Sequence, residues 1–188
     1  MRPTVLLALA VLTTAPLAAQ QSGLRAPLST RATFTMPLAL PRVQGQPAPT
    51  PKNVTIDYGQ PHARGRDVPT ELKTDGTIWR TGANTSTTLT TEADLTIGGR
   101  DVPADKYSLY TVRQGGQYFL IINNNTGQWG TEYDATKDLV RVPMRMRQRH
   151  EAQESLQIAM VPADAQSARG VLTISWGTLE LSADWAAK

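Results

Sequence analysis

Residues 156–181, LQIAMVPADAQSARGVLTISWGTLEL, decide the fold class of this chain. On each side of a loop of about nine residues, apolar positions alternate with polar ones, which is the pattern of two strands joined as a hairpin. After Gly177 the apolar positions change from even to odd numbers, as at Leu179. Such a change of phase reverses the faces of a strand, so Gly177 is predicted to mark a bulge or a tight turn.

The same period of two recurs through the rest of the chain. Residues 118–122, YFLII, form a continuous apolar run that predicts a central strand buried on both faces. About ten short strands without a long amphipathic helix predict an all-β protein, an antiparallel β-sandwich of the jelly-roll or immunoglobulin-like type. A helix over 147–156 is the alternative for one segment, because Glu151 and its neighbours have good helix propensity. Further alternating segments are 31–36, 54–57, 88–91, 107–111 and 179–181.

The first 19 residues have the order of a secretory signal peptide. Arg2 supplies a positive charge, residues 5–12 are apolar, and small residues precede a predicted cleavage after Ala19. The apolar run is far shorter than the roughly 20 residues that a membrane-spanning helix needs. We therefore expect a periplasmic or secreted protein that is not membrane-anchored after signal cleavage.

The rest of the chain divides into two parts. Residues 20–52 show poor periodicity apart from one short candidate strand, and 41–51 are rich in proline and glutamine. Such a composition buries little apolar surface, so it predicts a poorly ordered segment followed by a linker or surface loop. The β-sandwich domain is predicted to occupy residues 53–188.

The composition excludes several classes of protein. The chain has 188 residues, of which 40% are hydrophobic and 19% charged, as is usual for a globular protein. It has no cysteine, which removes disulfides, thiolate metal ligands and a thiolate nucleophile. His62 and His150 show no ligand spacing, so we expect no metal and no cofactor. The net charge is +3, or +2 once the predicted signal peptide with Arg2 is removed, and this small surplus without interleaved aromatic residues argues against binding to nucleic acid.

Arginines recur on one phase of a predicted strand, with Val and Met on the other phase. An arginine row can bind phosphate or carboxylate groups of envelope polymers through bidentate hydrogen bonds. A solvated strand face is the simpler interpretation. The row consists of Arg141, Arg145, Arg147 and Arg149.

Two hydrolytic chemistries would leave recognisable residues in the sequence. The chain has no Gly-x-Ser-x-Gly pentapeptide, so the nucleophile elbow of many serine hydrolases is not indicated. A pair of carboxylates at the right separation would support glycoside hydrolysis. Acidic residues beside turns are more often caps and Asx-turns. The candidates are Asp57, Asp67, Asp75, Glu92, Asp101 and Asp134.

Residues 77–87, TIWRTGANTST, form the most unusual segment. An apolar pair leads into Arg, Gly and Asn, as in a strand that ends in a turn. Trp79 beside Arg80 offers a ring face and a charged fork, which suits sugars or carboxylated ligands. The alternative is a structural corner, with Trp79 in the core and Arg80 paired with an internal acid. The candidate ligand-binding residues are Arg66, Trp79, Arg80 and Asn84.

Five segments, in this order along the chain, resemble the DUF2911 family: TIDYGQP (55–61), RGR (64–66), WRTGAN (79–84), VPADKYSLY (102–110) and WG (129–130). The resemblance covers most of the predicted domain, and the WRTGAN segment is its most specific part. Asp105 stands where the family usually has glycine. The resemblance implies an exported bacterial protein, and it supplies neither a reaction nor a ligand.

Together these observations predict a non-enzymatic binding or structural module of the cell envelope. A glycan or another polar envelope polymer is the expected partner. The alternative is an envelope hydrolase that acts on a carbohydrate or peptidoglycan bond through paired carboxylates.

Overall fold

Alternation of period two produces strands along most of the chain that the structure describes. The computed structural model describes residues 27–66 and 70–188. Its ten strands are β1 (Ser29–Leu38), β2 (Lys52–Pro61), β3 (Ile78–Trp79), β4 (Thr87–Thr91), β5 (Leu95–Ile97), β6 (Arg100–Val102), β7 (Lys106–Gln114), β8 (Gln117–Asn123), β9 (Asp138–Pro162) and β10 (Arg169–Ala187). In the described residues, helical structure is confined to one turn, α1 (Thr70–Lys73), and a 3₁₀ turn at Ala135–Lys137. The all-β prediction is confirmed.

All ten strands belong to one antiparallel sheet, in the order β1-β2-β4-β7-β8-β9-β10-β5-β6, with β3 beside β7. The long strand β9 pairs with β8 up to Met144, opposite Tyr118, and with β10 between Arg145 and Pro162, with a register shift on each side of Gln153. The sheet also curls, so that β2 and β9, which are not neighbours in the strand order, come into contact. Gln60 Nε2 of β2 donates to Leu156 O of β9 at 3.0 Å. The strands thus form one continuous sheet, and the finer expectation of a two-sheet sandwich stays a prediction.

The central strand β8 is buried on both faces, as predicted. Leu120, Ile121 and Ile122 are all fully inaccessible to solvent. Leu120 and Ile122 belong to the main core, whereas Ile121 packs in a smaller cluster on the opposite face. Trp79 stacks on Trp176 with ring centroids 6.0 Å apart, and this contact joins β3 to β10 across the main core.

The hairpin predicted near the C-terminus is confirmed as β9 and β10. The register shifts on both sides of Gly177, whose φ is +57°, so the predicted bulge is also confirmed. The alternative of a helix over 147–156 is wrong, because this segment lies within β9. Pairing of Arg147, Gln148 and Gln153 with β10, together with hydrogen bonds from Gln60 and Ala63, outweighs the local helix propensity there, which is a weak preference in any tertiary context.

The sheet begins earlier than the predicted domain boundary at residue 53. Strand β1 pairs with β2 along its whole length, from Ser29 opposite Pro61 to Leu38 opposite Lys52. The strand predicted at 31–36 is therefore confirmed, and the proline-rich stretch connects two paired strands. The predicted signal peptide lies outside the described residues. Within 27–66 and 70–188, no helix is long and apolar enough to cross a membrane.

Candidate functional site

The loop at residues 80–86 connects two strands that lie along the same edge of β7. Because Trp79 is opposite Thr111 and Thr87 is opposite Leu109, the loop has to bulge out between two nearly adjacent positions. Its backbone is left-handed at Thr81, with φ +51°, which is uncommon for a β-branched residue. Buried hydrogen bonds hold this conformation: the Thr81 and Thr111 hydroxyl oxygens are 2.8 Å apart, and Thr87 Oγ1 donates to Thr81 O at 2.9 Å. Surrounding structure thus stabilises a strained turn.

Close packing against β2 fixes the same loop from the other side. Ala83 N donates to Gly59 O at 3.1 Å. A Cβ atom on Gly59 would lie 1.9 Å from Ala83 O, and one on Gly82 would lie 2.7 Å from Thr87 Oγ1. Neither glycine therefore has room for a side chain. Two of the segments that carry the family resemblance, 55–61 and 79–84, meet at this contact.

A second segment, 128–130, pairs with the loop. Ser86 N donates to Gln128 O at 3.2 Å, and Gly130 N donates to Asn84 O at 3.0 Å. Between these two hydrogen bonds, Trp129 lies opposite Thr85. Loop 80–86 and segment 128–130 are together termed the corner.

The residues on either side of Trp129, Gln128 and Gly130, explain how the corner displays its tryptophan. Gln128 Nε2 donates to Tyr110 Oη at 2.8 Å and lies 3.3 Å from Ser108 Oγ, which anchors the segment to β7. A Cβ atom on Gly130 would lie 2.4 Å from Arg80 Cδ, so the glycine leaves space for the arginine stem. Trp129, between them, is 49% exposed.

Arg80 is partly buried, and its guanidinium is held by the loop itself. Arg80 Nε donates to Gly82 O at 3.3 Å. Of the ion pairs between described residues, none includes Arg80. The corner therefore presents an indole ring, a guanidinium and the amide of exposed Asn84 on adjacent backbone segments. An indole stacks on ring faces, and a guanidinium binds carboxylate or phosphate groups.

The structure brings together two of the four predicted site residues, Arg80 and Asn84. Trp79 is only 7% exposed and packs in the main core, as the structural-corner alternative expected for this ring. The internal acid that this alternative assigned to Arg80 is not found among the described residues. Arg66 donates to the carbonyl oxygens of His62 and Ala63 after β2, and no contact with the corner is seen in the described part of the chain.

In sequence, Trp129 was recognised only as part of the family resemblance and was not predicted as a site residue. A signal for its exposure was present, because Trp129 lies in a polar segment bounded by Gly127 and Gly130. A large apolar residue outside any alternating run has no strand face that would bury it. Its pairing with Thr85 had no such signal, since the two residues are distant in sequence.

Tyr133 anchors the segment that carries Trp129. Its ring packs against Tyr110 at 4.9 Å, with the ring planes at 62°. The hydroxyl donates to Asp138 Oδ2 at 2.7 Å and accepts from Arg141 Nη2 at 3.0 Å. Burial, with a further contribution from Asp138, raises the pKa of Tyr133 to about 12. The phenol therefore stays a neutral hydrogen-bond donor at physiological pH.

The arginine row of β9 is engaged within the protein. The Asp184 carboxylate accepts two hydrogen bonds from Arg145, which lower its pKa below the ordinary value. A guanidinium that already has a carboxylate partner offers little to an external anion. This favours the solvated strand face. The pairs are Arg141–Asp138 at 3.0 Å, Arg145–Asp184 at 2.7 Å, Arg147–Glu180 at 2.8 Å and Arg149–Glu180 at 3.0 Å.

The acids considered for hydrolysis have structural partners, apart from Asp67, which lies outside the described residues. Burial alone would raise the pKa of Asp57, but hydrogen bonds from Arg31 and Thr33 outweigh it and lower the pKa. Within 27–66 and 70–188, no three His, Asp or Glu residues are placed to hold a metal ion. The other contacts are Asp75–Arg113 at 3.1 Å, Glu92 with Asn53 N at 2.6 Å, Asp101–Lys188 at 2.7 Å and Asp134 with Thr136 N at 2.9 Å.

These features define an all-β protein whose candidate site is an open corner with an aromatic ring and an arginine. The family model DUF2911, described as a protein of unknown function, matches residues 43–184, and the chain belongs to that family. The resemblance inferred from the five segments is thereby confirmed. Neither a curated protein nor a solved structure matches the chain.

Proposed function

We propose that this protein is a periplasmic or secreted binding module that recognises a glycan or another polar envelope polymer at the corner. The observation that carries the proposal is the exposed indole of Trp129, on the segment that pairs with the loop of Arg80 and Asn84. The signal-peptide pattern at residues 1–19 supports the compartment.

The corner suits a sugar because its aromatic ring is exposed and the backbone that carries the ring is held in place. Backbone hydrogen bonds on either side of Trp129 hold its Cα, so little backbone entropy is lost when a ligand stacks on the ring. The apolar face of a pyranose then covers indole surface that is otherwise in water. The amide of Asn84 both donates and accepts hydrogen bonds, which matches sugar hydroxyl groups.

The contacts of the acidic residues favour binding over hydrolysis. Retaining and inverting glycosidases need two free carboxyl groups that face each other across the substrate. Five of the six candidate acids instead hold a cation, a backbone N–H or a cap in the described structure. A binding surface needs no such pair.

The proposal is tested with the exported protein, recovered from the periplasm or medium. Its intact mass is expected to correspond to a chain that begins at Gln20, and a mass that retains Met1 would contradict the export model. The protein is then incubated with insoluble peptidoglycan sacculi, lipopolysaccharide and a panel of plant and bacterial glycans. We expect retention on at least one polymer.

Trp129→Ala is expected to lose this retention at an unchanged melting temperature, because the ring lies largely outside the core. Val161→Ala is the matched control, since Val161 is also about half exposed but lies in the β9–β10 hairpin. Equal retention of Trp129→Ala and the wild-type protein would reject the corner as the site. Absence of binding to the whole panel would reject the proposed function.

A further inference from the structure

Arg80 differs from the other partly buried arginines of the described structure. The exposed fraction is intermediate for four arginines within 27–66 and 70–188: Arg80, Arg113, Arg141 and Arg149. Three of them have a carboxylate partner, with Asp75 at 3.1 Å, Asp138 at 3.0 Å and Glu180 at 3.0 Å respectively. Arg80 has no such partner among the described residues. Partial burial removes water from the charge, so a guanidinium in this environment is more stable when a counter-ion is bound to it.

Arginines without a carboxylate occur elsewhere, but they are exposed to solvent. Water solvates an exposed guanidinium, so the lack of a carboxylate partner costs little there. Arg80 is therefore unusual among the described residues in combining partial burial with the absence of a carboxylate partner. Within 27–66 and 70–188, the exposed arginines without a carboxylate partner are Arg42, Arg64, Arg66, Arg100 and Arg169.

The orientation of Arg80 is largely set before any ligand binds. Its Nε donates a hydrogen bond to Gly82 O, and its aliphatic stem lies against Gly130. Neither Nη atom has a hydrogen bond to a described residue. Two Nη groups in one plane are donors that match the two oxygens of a carboxylate, and a fixed stem reduces the entropy lost on binding.

We infer that Arg80 binds the carboxylate of an acidic sugar whose ring stacks on Trp129. This inference rests on the proposed function, because it names the class of glycan that the corner accepts. Arg80 and Trp129 lie on the two paired segments of the corner, and the arginine stem lies against Gly130, the residue after Trp129, so we infer that both residues contact one sugar unit or two successive ones. A sulfate or phosphate group shares the negative charge, so the test has to separate these anions.

The test compares one polymer in a charged and an uncharged form. Oligomers of galacturonic acid and their methyl esters have the same rings and differ in the carboxylate. Tryptophan fluorescence titration is expected to give at least tenfold tighter binding of the free acid, because a hydrogen bond to a charged group is worth about one factor of ten or more. Added salt is expected to reduce this difference.

Arg80→Gln is expected to remove the preference for the acid, and Arg80→Lys to restore part of it through charge alone. Arg100→Gln is the matched control, because Arg100 is exposed and lies in β6 at the far end of the strand order. The melting temperature of each variant is measured beside the titration, so that misfolding is recognised.

The outcomes separate this inference from the proposed function. Equal binding of acid and ester would overturn the carboxylate inference and leave the proposed function intact. Tighter binding of a sulfated galactan than of the uronate would also overturn it. Absence of binding to both forms, and to the panel of envelope polymers, would overturn both. A preference for the acid that Arg80→Gln leaves unchanged would remove Arg80 from the site.

Discussion

The β9–β10 hairpin and the corner use arginine in opposite ways. In the hairpin, Arg147 and Arg149 both bind Glu180, at 2.8 and 3.0 Å, and Ser175 Oγ lies 3.4 Å from the same carboxylate. At the corner, Arg80 is bonded to a backbone carbonyl, with no carboxylate partner in the described part of the chain. The comparison shows that a row of arginines on one strand face is structural here. In contrast, Arg80, which lies in an irregular loop, keeps its Nη donors available.

The two regions also differ in how their backbones are fixed. The hairpin is regular apart from the bulge at Gly177, and repeated ladder bonds hold it. The corner has left-handed residues at Thr81 and Asn84, and a few tight contacts with β2 hold it. We therefore expect single substitutions to affect the hairpin and the corner independently of each other.

The largest expected effect comes from two glycines that each face a backbone carbonyl. A Cβ atom would lie 1.9 Å from Ala83 O at Gly59, and 1.9 Å from Val161 O at Gly170. Gly59→Ala and Gly170→Ala are each expected to lower the free energy of unfolding by about 3 kcal/mol, because backbone has to move. Urea unfolding measures the loss.

Ligand retention then distinguishes the two glycines. Gly59→Ala is expected to abolish binding at the corner, whereas Gly170→Ala is expected to retain it at temperatures where the variant is folded. If Gly59→Ala binds as the wild-type protein does, the contact with β2 does not position the corner.

The next effect tests the paired arginines of the hairpin. Glu180→Gln removes the charge that Arg147 and Arg149 share, and Glu180 is largely buried. The expected loss of stability is about 1–2 kcal/mol, between the values for a charged hydrogen bond and for an exposed pair. Chemical denaturation measures it. Asp184→Asn is the control, because the Asp184–Arg145 pair is exposed and is expected to contribute less. Equal losses of stability for the two variants would show that burial of the carboxylate does not determine how much an ion pair contributes.

A smaller effect on stability is expected at Arg80. Arg80→Gln is expected to change the free energy of unfolding by less than about 0.5 kcal/mol, because no described carboxylate loses its partner. Its melting temperature is compared with that of Glu180→Gln. A large decrease without any change in ligand affinity would assign Arg80 to the architecture of the corner.

The smallest effect concerns pH. The hydrogen bonds from Arg145 lower the pKa of Asp184 below its ordinary value of 3.8. A lowered pKa in the folded state adds stability above the unfolded-state pKa, and this contribution is lost as the pH falls through the folded-state pKa. Carboxyl NMR titration is expected to show the lowered pKa, and Arg145→Gln is expected to return it toward 3.8. An ordinary pKa in the wild-type protein would contradict the bidentate pair.

Much of the fold follows from local pattern. Alternation predicted the hairpin, the change of phase predicted the bulge at Gly177, and the apolar run at 118–122 predicted the central strand. These features could be predicted because a strand repeats every two residues, so its buried face is visible in sequence. The start of the sheet at Ser29 was less clear, because the proline-rich connection that follows β1 suggested a linker.

The sequence alone determined the all-β class, the main strands and the family of this protein, because these depend on patterns within short segments. It also indicated Arg80 and Asn84, which lie in one turn. Only the tertiary structure decided that Trp79 is buried and that Trp129 takes its place at the corner. The sequence predicted Trp79 as the ring platform, but Trp79 stacks on Trp176 in the core, while Trp129 pairs with Thr85 of the loop. Exposure and ion pairing depend on residues distant in the chain, so the corner exists only once the strands have assembled.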